Sequence, residues 1–328
     1  MTDLFDLRLL VVSGKGGVGR TTVAAALATA AAARGKRVLI AQTATAERLG
    51  RIFGRPGPIG PDIARVAPGV DAVNMTPQRA IHEYAVMVLR SELVYRAIFE
   101  NRAVRGFLAA VPGLDAYSML GKAWFHTTER NPDGRARYDL VILDAPASGH
   151  ASLMLRIPQA ILDATPKGPL SRDARAMRDL LSDPARTALV IVTLAEELPA
   201  RETAELAAIA RDLIKMPLGP VIVNALPPGE LAAPAVAAVL DRLGSAATGD
   251  AALDATLRLA AGVRAHRRVA EQVLEQLRRN PGLPIVTLPR LPTAEMGPAA
   301  IAELAKLLQS LNTDGQPSDV GRGGKSYA

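Results

Sequence analysis

The chain has 328 residues, 49% of them hydrophobic but only 3% aromatic, with no cysteine and a formal charge of +7. That length suffices for one large α/β domain or two modest ones, and the composition is globular, with a core drawn mostly from Ala, Leu, Val and Ile. The missing thiols exclude disulfides, thiolate zinc sites and any thiol-bound metalloid. The basic balance would suit an acidic partner, but no basic block with interleaved aromatics appears, so nucleic acid is not favoured and arginine-rich solvated helix faces account for the charge. No run of about 18 apolar residues free of charge occurs, so no membrane span is expected. The opening MTDLFDLR lacks the charged-then-apolar pattern of a secretory signal, and a cytoplasmic location is expected.

The first predicted elements are also the most informative. Residues 9 to 34 read LLVVSGKGGVGRTTVAAALATAAAAR. Leu9 to Val12 is a buried strand, Ser13 to Arg20 a glycine-rich loop, and an alanine-rich helix starts near Thr21. Strand, glycine loop and helix in that order form a phosphate cradle: Gly14, Gly16, Gly17 and Gly19 let backbone N–H groups turn inward, and the helix N-terminus adds partial positive charge. Lys15, Val18, Arg20, Thr21 and Thr22 complete the candidate nucleotide loop. Thr21 stands where a Mg²⁺-ligating hydroxyl is needed. The loop is similar to the "deviant" Walker A pattern GKGGxGKT, with one exchange: the usual loop lysine is Arg20. A planar, longer guanidinium does not replace a compact ammonium conservatively.

Further along, Arg34-Gly35-Lys36 reads as a helix stop and Val38 to Ala41 as the second strand. Gly54 to Gly69, rich in Gly and Pro, reads as a surface loop. Val70 to Met75 is a short strand. Residues 77 to about 130 form a helical insertion, since Ile81, Tyr84, Ala85, Val88 and Leu89 recur on one helical face. Asn131-Pro132-Asp133-Gly134 is a turn. Tyr138 to Leu143 is a continuous apolar strand ending in Asp144, the kind buried on both faces of a parallel sheet. A second helical stretch runs from 151 to 181. Thr187 to Thr193 and Pro220 to Asn224 are strands with a helix, Ala200 to Ile214, between them. Residues 230 to 279 are helical, Leu283 to Leu288 is the last strand, and Pro298 to Leu311 the last helix. The Gly/Ser/Asp-rich stretch from 312 to 328 is expected to be disordered.

Strands alternating with helices predict an α/β fold, a mostly parallel sheet with helices on both faces, over residues 1 to 311 as one domain. Ligands in such sheets sit at the carboxyl ends of the strands, where the glycine loop, Asp144 and Asn224 all fall.

The stretch VILDAPASGHASLML, residues 141 to 155, resembles the switch II of ArsA-type ATPases, P-loop NTPases that include arsenite-efflux and tail-anchored-protein-targeting ATPases. VTLAEELPARET (192 to 203), VIVNAL (221 to 226) and VTLPRLPTAEMGPAAI (286 to 301) resemble later family segments in the correct order, and Pro112-Gly113-Leu114 looks like a family helical-domain feature. The resemblance implies ATP or ADP with Mg²⁺ as cofactors. It implies Asp144 as a Mg²⁺-holding carboxylate, Gly149 as the sensor of a γ-phosphate, Asn224 as an adenine contact, and the backbone of Pro289, Arg290 and Leu291 packed against the base. It further implies that Lys15 reaches across a dimer to the partner's nucleotide, so Lys15 and Asp144 are the candidate catalytic residues. Each residue also has an ordinary reading: a strand-end Asp capping a turn, an exposed loop lysine, an Asn satisfying its own loop.

Two departures stand out. The family carries an Asp after the second strand, whereas Gln42-Thr43-Ala44-Thr45-Ala46 offers no carboxylate, with Thr43 or Thr45 in its place; together with Arg20, this alters two groups that act on the subunit's own nucleotide. The zinc and arsenite cysteines of the two branches are absent. The expectation is a nucleotide-binding subunit with weak or absent hydrolysis, paired with itself or with an intact paralogue. The alternatives are an active targeting or chaperone-like ATPase with a protein client, and a ParA/MinD-like positioning ATPase. The last is disfavoured by the 144–150 stretch and by the missing C-terminal amphipathic membrane helix. Met75, Met87, Met119, Met154 and Met177 could line a client groove, but core packing is the better reading.

Overall fold

A computed structural model of the chain describes residues 2–43, 47–89, 91, 93, 113–165, 167–244, 249–279, 283–309 and 311. Its frame is one eight-stranded sheet: β1 (Leu9–Gly14), β2 (Val38–Gln42), β3 (Ala64–Ala67), β4 (Val70–Asn74), β5 (Leu140–Ala147), β6 (Thr187–Leu194), β7 (Leu218–Leu226) and β8 (Ile285–Pro289). The spatial order is β3-β4-β2-β5-β1-β6-β7-β8. Every neighbouring pair is parallel except β3 with β4. The α/β class expected from the alternation of strands and helices is the one observed.

Side-chain alternation along β1 splits the core in two. Leu10 and Val12 join Ile40, Ile142 and Val190 on one face, beneath α1 (Arg20–Ala33) and the last described helix, α10 (Pro298–Leu308). Leu9 and Val11 join Leu39, Val141, Leu143 and Ile191 on the other. That face is covered by α4 (Leu114–Thr128), α5 (Ser148–Ala164), α6 (Pro169–Leu181) and α7 (Glu197–Ile209). In α1, Ala24, Ala25, Ala26, Ala28, Ala30 and Ala31 are all fully buried. Side chains this small let the helix lie close to the sheet and to α10 at once; a helix apolar on all sides belongs inside.

The remaining helices are α2 (Leu49–Ile52), α3 (Pro77–Leu89), α8 (Pro234–Gly244) and α9 (Ala251–Arg278). Of the stretch expected to be helical after residue 77, Pro77–Leu89 and Leu114–Thr128 are helices, with Ala80 and Ala85 buried and the Tyr84 and Tyr117 rings edge to face at 6.3 Å. Ile98, Phe99, Phe107, Leu108 and Pro112 lie outside the described residues, as do the 312–328 stretch and Thr45. Met75, Met154 and Met177 are buried in the core beside α4–α6 and Met119 is partly buried against it, in line with the packing reading, while the Met87 side chain lies outside the described residues. No helix among the described residues is long and apolar enough to cross a membrane.

Three sequence expectations need correction. The Gly/Pro-rich segment 54–69 contains β3, which pairs antiparallel with β4 across a turn at Gly69 (φ 74°). β5 does not end in Asp144 but runs on to Ala147, because Gly14 and Ala147 still pair across β1 and β5. The helix placed at 200–214 starts at Glu197 and finishes in a π turn, Ala210–Ile214, closed by Lys215 in the left-handed region.

At the opposite edge of the sheet from the glycine loop, Arg8 ties β1 to its neighbours. Its guanidinium donates to the carbonyls of Tyr138 (2.8 Å), Asp139 (2.8 Å) and Thr127 (2.5 Å). Burial pushes its pKa below the ordinary arginine value, and Asp139 pulls the other way. Arg8→Met keeps the aliphatic stem but strands three carbonyls, so the expected loss is about 2–4 kcal/mol of stability. Urea unfolding checks this; a loss below about 1 kcal/mol would mean that water replaces the guanidinium freely.

Candidate functional site

The carboxyl ends of β1, β5 and β7 meet at one place, and the register explains why. Val12 pairs with Asp144 across β1 and β5, and Gln42 pairs with Asp144 across β2 and β5. The loop leaving β1 therefore starts beside the Asp144 carboxylate. Gly14 cannot be another residue here: its φ is 154°, and a Cβ would overlap the Val192 carbonyl of β6. Lys15 is half-buried, Gly16 and Gly17 are exposed, and Val18 is buried. Gly19 caps α1 at φ 91°, where a Cβ would overlap the Asn224 side-chain amide. Arg20, Thr21 and Thr22 form the first turn of α1, half-buried.

Asp144 is 4% exposed. Its Oδ2 accepts from the Thr21 hydroxyl at 2.7 Å and from Gln42 Nε2 at 3.3 Å. Burial raises its pKa above the ordinary aspartate value, against the Thr21 hydrogen bond, the Arg20 charge and the Gln42 hydrogen bond, which lower it. Arg20 donates through Nη1 to the Ala145 carbonyl of β5. Burial lowers its pKa and Asp144 opposes that. Thr43 donates both its hydroxyl (3.0 Å) and its amide (3.3 Å) to the Asp144 carbonyl, holding the end of β2 to β5.

Lys15 Nζ lies 3.1 Å from Glu202 Oε1 on α7, and Glu202 Oε2 accepts from the Ser148 hydroxyl at 2.9 Å. Asn224 Nδ2 donates to the Val18 carbonyl at 3.0 Å. The next residue, Ala225, adopts φ 52°, and the β7–β8 register shifts between Val223 and Leu226. A left-handed alanine costs about 1–2 kcal/mol, and it sits where the strand turns Asn224 toward the glycine loop. Arg290 N donates to the Leu226 carbonyl at 2.9 Å, which seats Pro289–Leu291 beside the end of β7. Pro289 and Arg290 are exposed, while the Leu291 side chain is buried in the core. His150 is exposed, and a Cβ on Gly149 would meet nothing within 4 Å.

The fold thus gathers the glycine loop, Asp144, Asn224 and the 289–291 backbone at one edge. It also adds Gln42, Ser148 and Glu202, which the sequence did not single out. Gln42 sits one residue past the apolar run Val38–Ala41, and nothing in its neighbours marks it. Glu202 lies in the 192–203 stretch, but only the tertiary packing of α7 points it at the loop.

The donor set suits Mg²⁺. Among the described residues no group of three or more His, Asp or Glu side chains could form a metal cage. One carboxylate and one hydroxyl are hard oxygen donors, which fit a cation that keeps water and phosphate oxygens as its other ligands. Among the described residues the buried Gln42 Oε1 has no hydrogen-bond partner, which leaves an acceptor beside Asp144 that a cation-bound water could satisfy.

Residues 7–167 match the family model described as anion-transporting ATPase, the ArsA-type ATPases. A putative ATPase of Mycobacterium bovis is 31% identical over 234 residues, covering 70% of this chain and 68% of that protein. The ATPase BagA of Mycobacterium tuberculosis matches to the same extent. An arsenical pump-driving ATPase of Escherichia coli is 30% identical over 220 residues, 61% of this chain and 37% of that longer protein.

The Asp144 pKa carries a stability prediction. Because its folded value lies above its unfolded value, the folded state favours the protonated acid. The stability this gives is full below the unfolded value and is lost as pH rises through the folded one. At neutral pH the bare carboxylate is therefore a cost, and Asp144→Asn should raise the melting temperature of the ligand-free chain by roughly 2–4 °C. Calorimetry at two pH values checks it: the gap between variant and parent should narrow as pH falls toward about 4. A variant that melts lower at neutral pH would contradict the assignment.

Proposed function

The chain belongs to the ArsA-type family of ATPases, and from that premise we propose that it binds Mg·ATP at the β1–α1 loop while hydrolysing it weakly or not at all. Residues 1–311 act as one ATPase unit, in a dimer with a second copy or with an intact paralogue. The observation that carries this reading is the pairing at the sheet edge. The Thr21 hydroxyl and the Asp144 carboxylate stand together beside an open glycine loop, while the Arg20 guanidinium is tied to a main-chain carbonyl of β5.

The amides of the glycine loop and of the first turn of α1, at a helix N-terminus, would cradle triphosphate oxygens. Thr21 and Asp144 would hold Mg²⁺. When bound, the cation neutralises charge on the β- and γ-phosphates. Asn224 and the 289–291 backbone would meet the base. Lys15 is the candidate for charge stabilisation in the dimer. What the chain lacks is a second group for its own nucleotide: Arg20 is a planar cation with a main-chain acceptor, and Gln42 and Thr43 supply no carboxylate after β2. Relatives are named ATPases, which keeps brisk hydrolysis as the competing reading, with a protein client as the target of the work.

Titration calorimetry and a phosphate-release assay separate the two readings. The full chain should bind Mg·ATP, with affinity reduced in Asp144→Asn and in the absence of Mg²⁺. Turnover should be low, and Arg20→Lys should raise it at least about tenfold. Rapid turnover by the parent chain, unchanged in Arg20→Lys, would refute weak hydrolysis, and absence of any nucleotide binding would refute the whole assignment.

A further inference from the structure

One carboxylate joins the glycine loop to the start of α5. Glu202 receives the Lys15 ammonium on Oε1 at 3.1 Å and the Ser148 hydroxyl on Oε2 at 2.9 Å. These three residues come from three segments: the loop after β1, the first residue of α5 and the second turn of α7. Ser148 lies four residues beyond Asp144, directly after β5. The carboxyl pKa is lowered, chiefly by the Ser148 hydrogen bond and then by Lys15, so the group is ionised and engaged on both oxygens.

We propose that Glu202 is the positioning residue of Lys15: its carboxylate parks the ammonium beside Ser148, and a phosphate oxyanion takes over as the partner of Lys15 when nucleotide binds. A carboxylate and a phosphate are both oxyanion acceptors for an ammonium, and the phosphate carries more charge. The pair is suited to being exchanged. The Lys15 and Glu202 side chains are 27% and 30% exposed, and pairs with access to solvent hold by only about 0–1 kcal/mol. A triphosphate therefore outcompetes Glu202. When Lys15 leaves, one oxygen of Glu202 loses its cation, and the hold on Ser148 weakens at the segment that follows Asp144. Lys15 and α5 are thereby coupled through one side chain.

The handover to phosphate rests on the nucleotide reading above, whereas the parked state of Lys15 does not, and the experiment keeps them apart. Lysine acylation by an N-hydroxysuccinimide ester, read by mass spectrometry on the full chain without nucleotide, reports the access of the Lys15 amine. Glu202→Gln should raise Lys15 acylation severalfold and Glu202→Asp should fall between it and the parent. Lys36, held by Asp6 at 2.6 Å on the far side of the sheet, should be unchanged in all three and certifies that the fold is kept. Equal Lys15 rates in parent and Glu202→Gln overturn the proposal. Mg·ATP should then restore protection of Lys15 in Glu202→Gln. Bound nucleotide by calorimetry without restored protection overturns the handover. No bound nucleotide, with the severalfold difference intact, overturns the nucleotide reading and upholds the parking role of Glu202.

Discussion

The hydrogen bond from the Thr21 hydroxyl to the Asp144 carboxylate, 2.7 Å long, depends on a constraint set far below it: β1 and β5 are parallel neighbours in a register that puts Val12 opposite Asp144. A shift of one residue would turn Asp144 toward the opposite face and leave Thr21 without its partner. β1 lies between β5 and β6, so the loop leaving it has a carboxylate on one side and the β6 backbone on the other. The absence of a side chain at Gly14 lets the loop pass against Val192. Helix α1 then fixes the direction of Thr21, because its alanine surface is sunk between sheet and α10 and has no room to rotate.

Much of this frame was legible in the chain. Leu9–Val12, Val38–Ala41, Leu140–Leu143 and Ala188–Val192 are uninterrupted apolar runs, and a strand covered by helices on both faces needs no polar alternation. The glycine loop is legible because it is local: strand, turn and helix follow one another within about 25 residues. What escaped was fixed by partners distant in sequence. β3, Ala-Arg-Val-Ala inside a Gly/Pro-rich stretch, is a strand because β4 turns back on it, with Arg65 paired to Asp71. β5 continues through Pro146, which a local reading takes as a stop; Ser13 donates to the Pro146 carbonyl at 3.1 Å and the pairing with β1 survives.

The site divides the same way. Asp144 ends a long apolar run and so announces itself, whereas Gln42 and Glu202 look like ordinary polar residues. Gln42 is fully buried because β2 carries it next to Asp144. Glu202 faces Lys15 because α7 returns along the same side of the sheet as α5. Register and packing, not residue type, give these two their surroundings, and neither is a property that a single sequence displays.

The edge of the sheet is a place of unequal charges held by replaceable partners. Asp144 carries a burial penalty that the Thr21 and Gln42 hydrogen bonds only partly offset. Arg20 rests on the Ala145 carbonyl, and Lys15 rests on Glu202. On the proposed reading the site holds an anion and a cation together, and its groups have partners that a ligand can replace, with Gln42 Oε1 left over among the described residues. The replacement of a lysine by Arg20 fits into that arrangement in a particular way. A lysine in the first turn of α1 would be a mobile point charge. The guanidinium instead finds a planar acceptor on the backbone beside Asp144 and keeps positive charge near the carboxylate. On the reading proposed here, electrostatic attraction for a phosphate is thereby retained, while the freedom of that charge to follow a phosphate through its reaction is reduced.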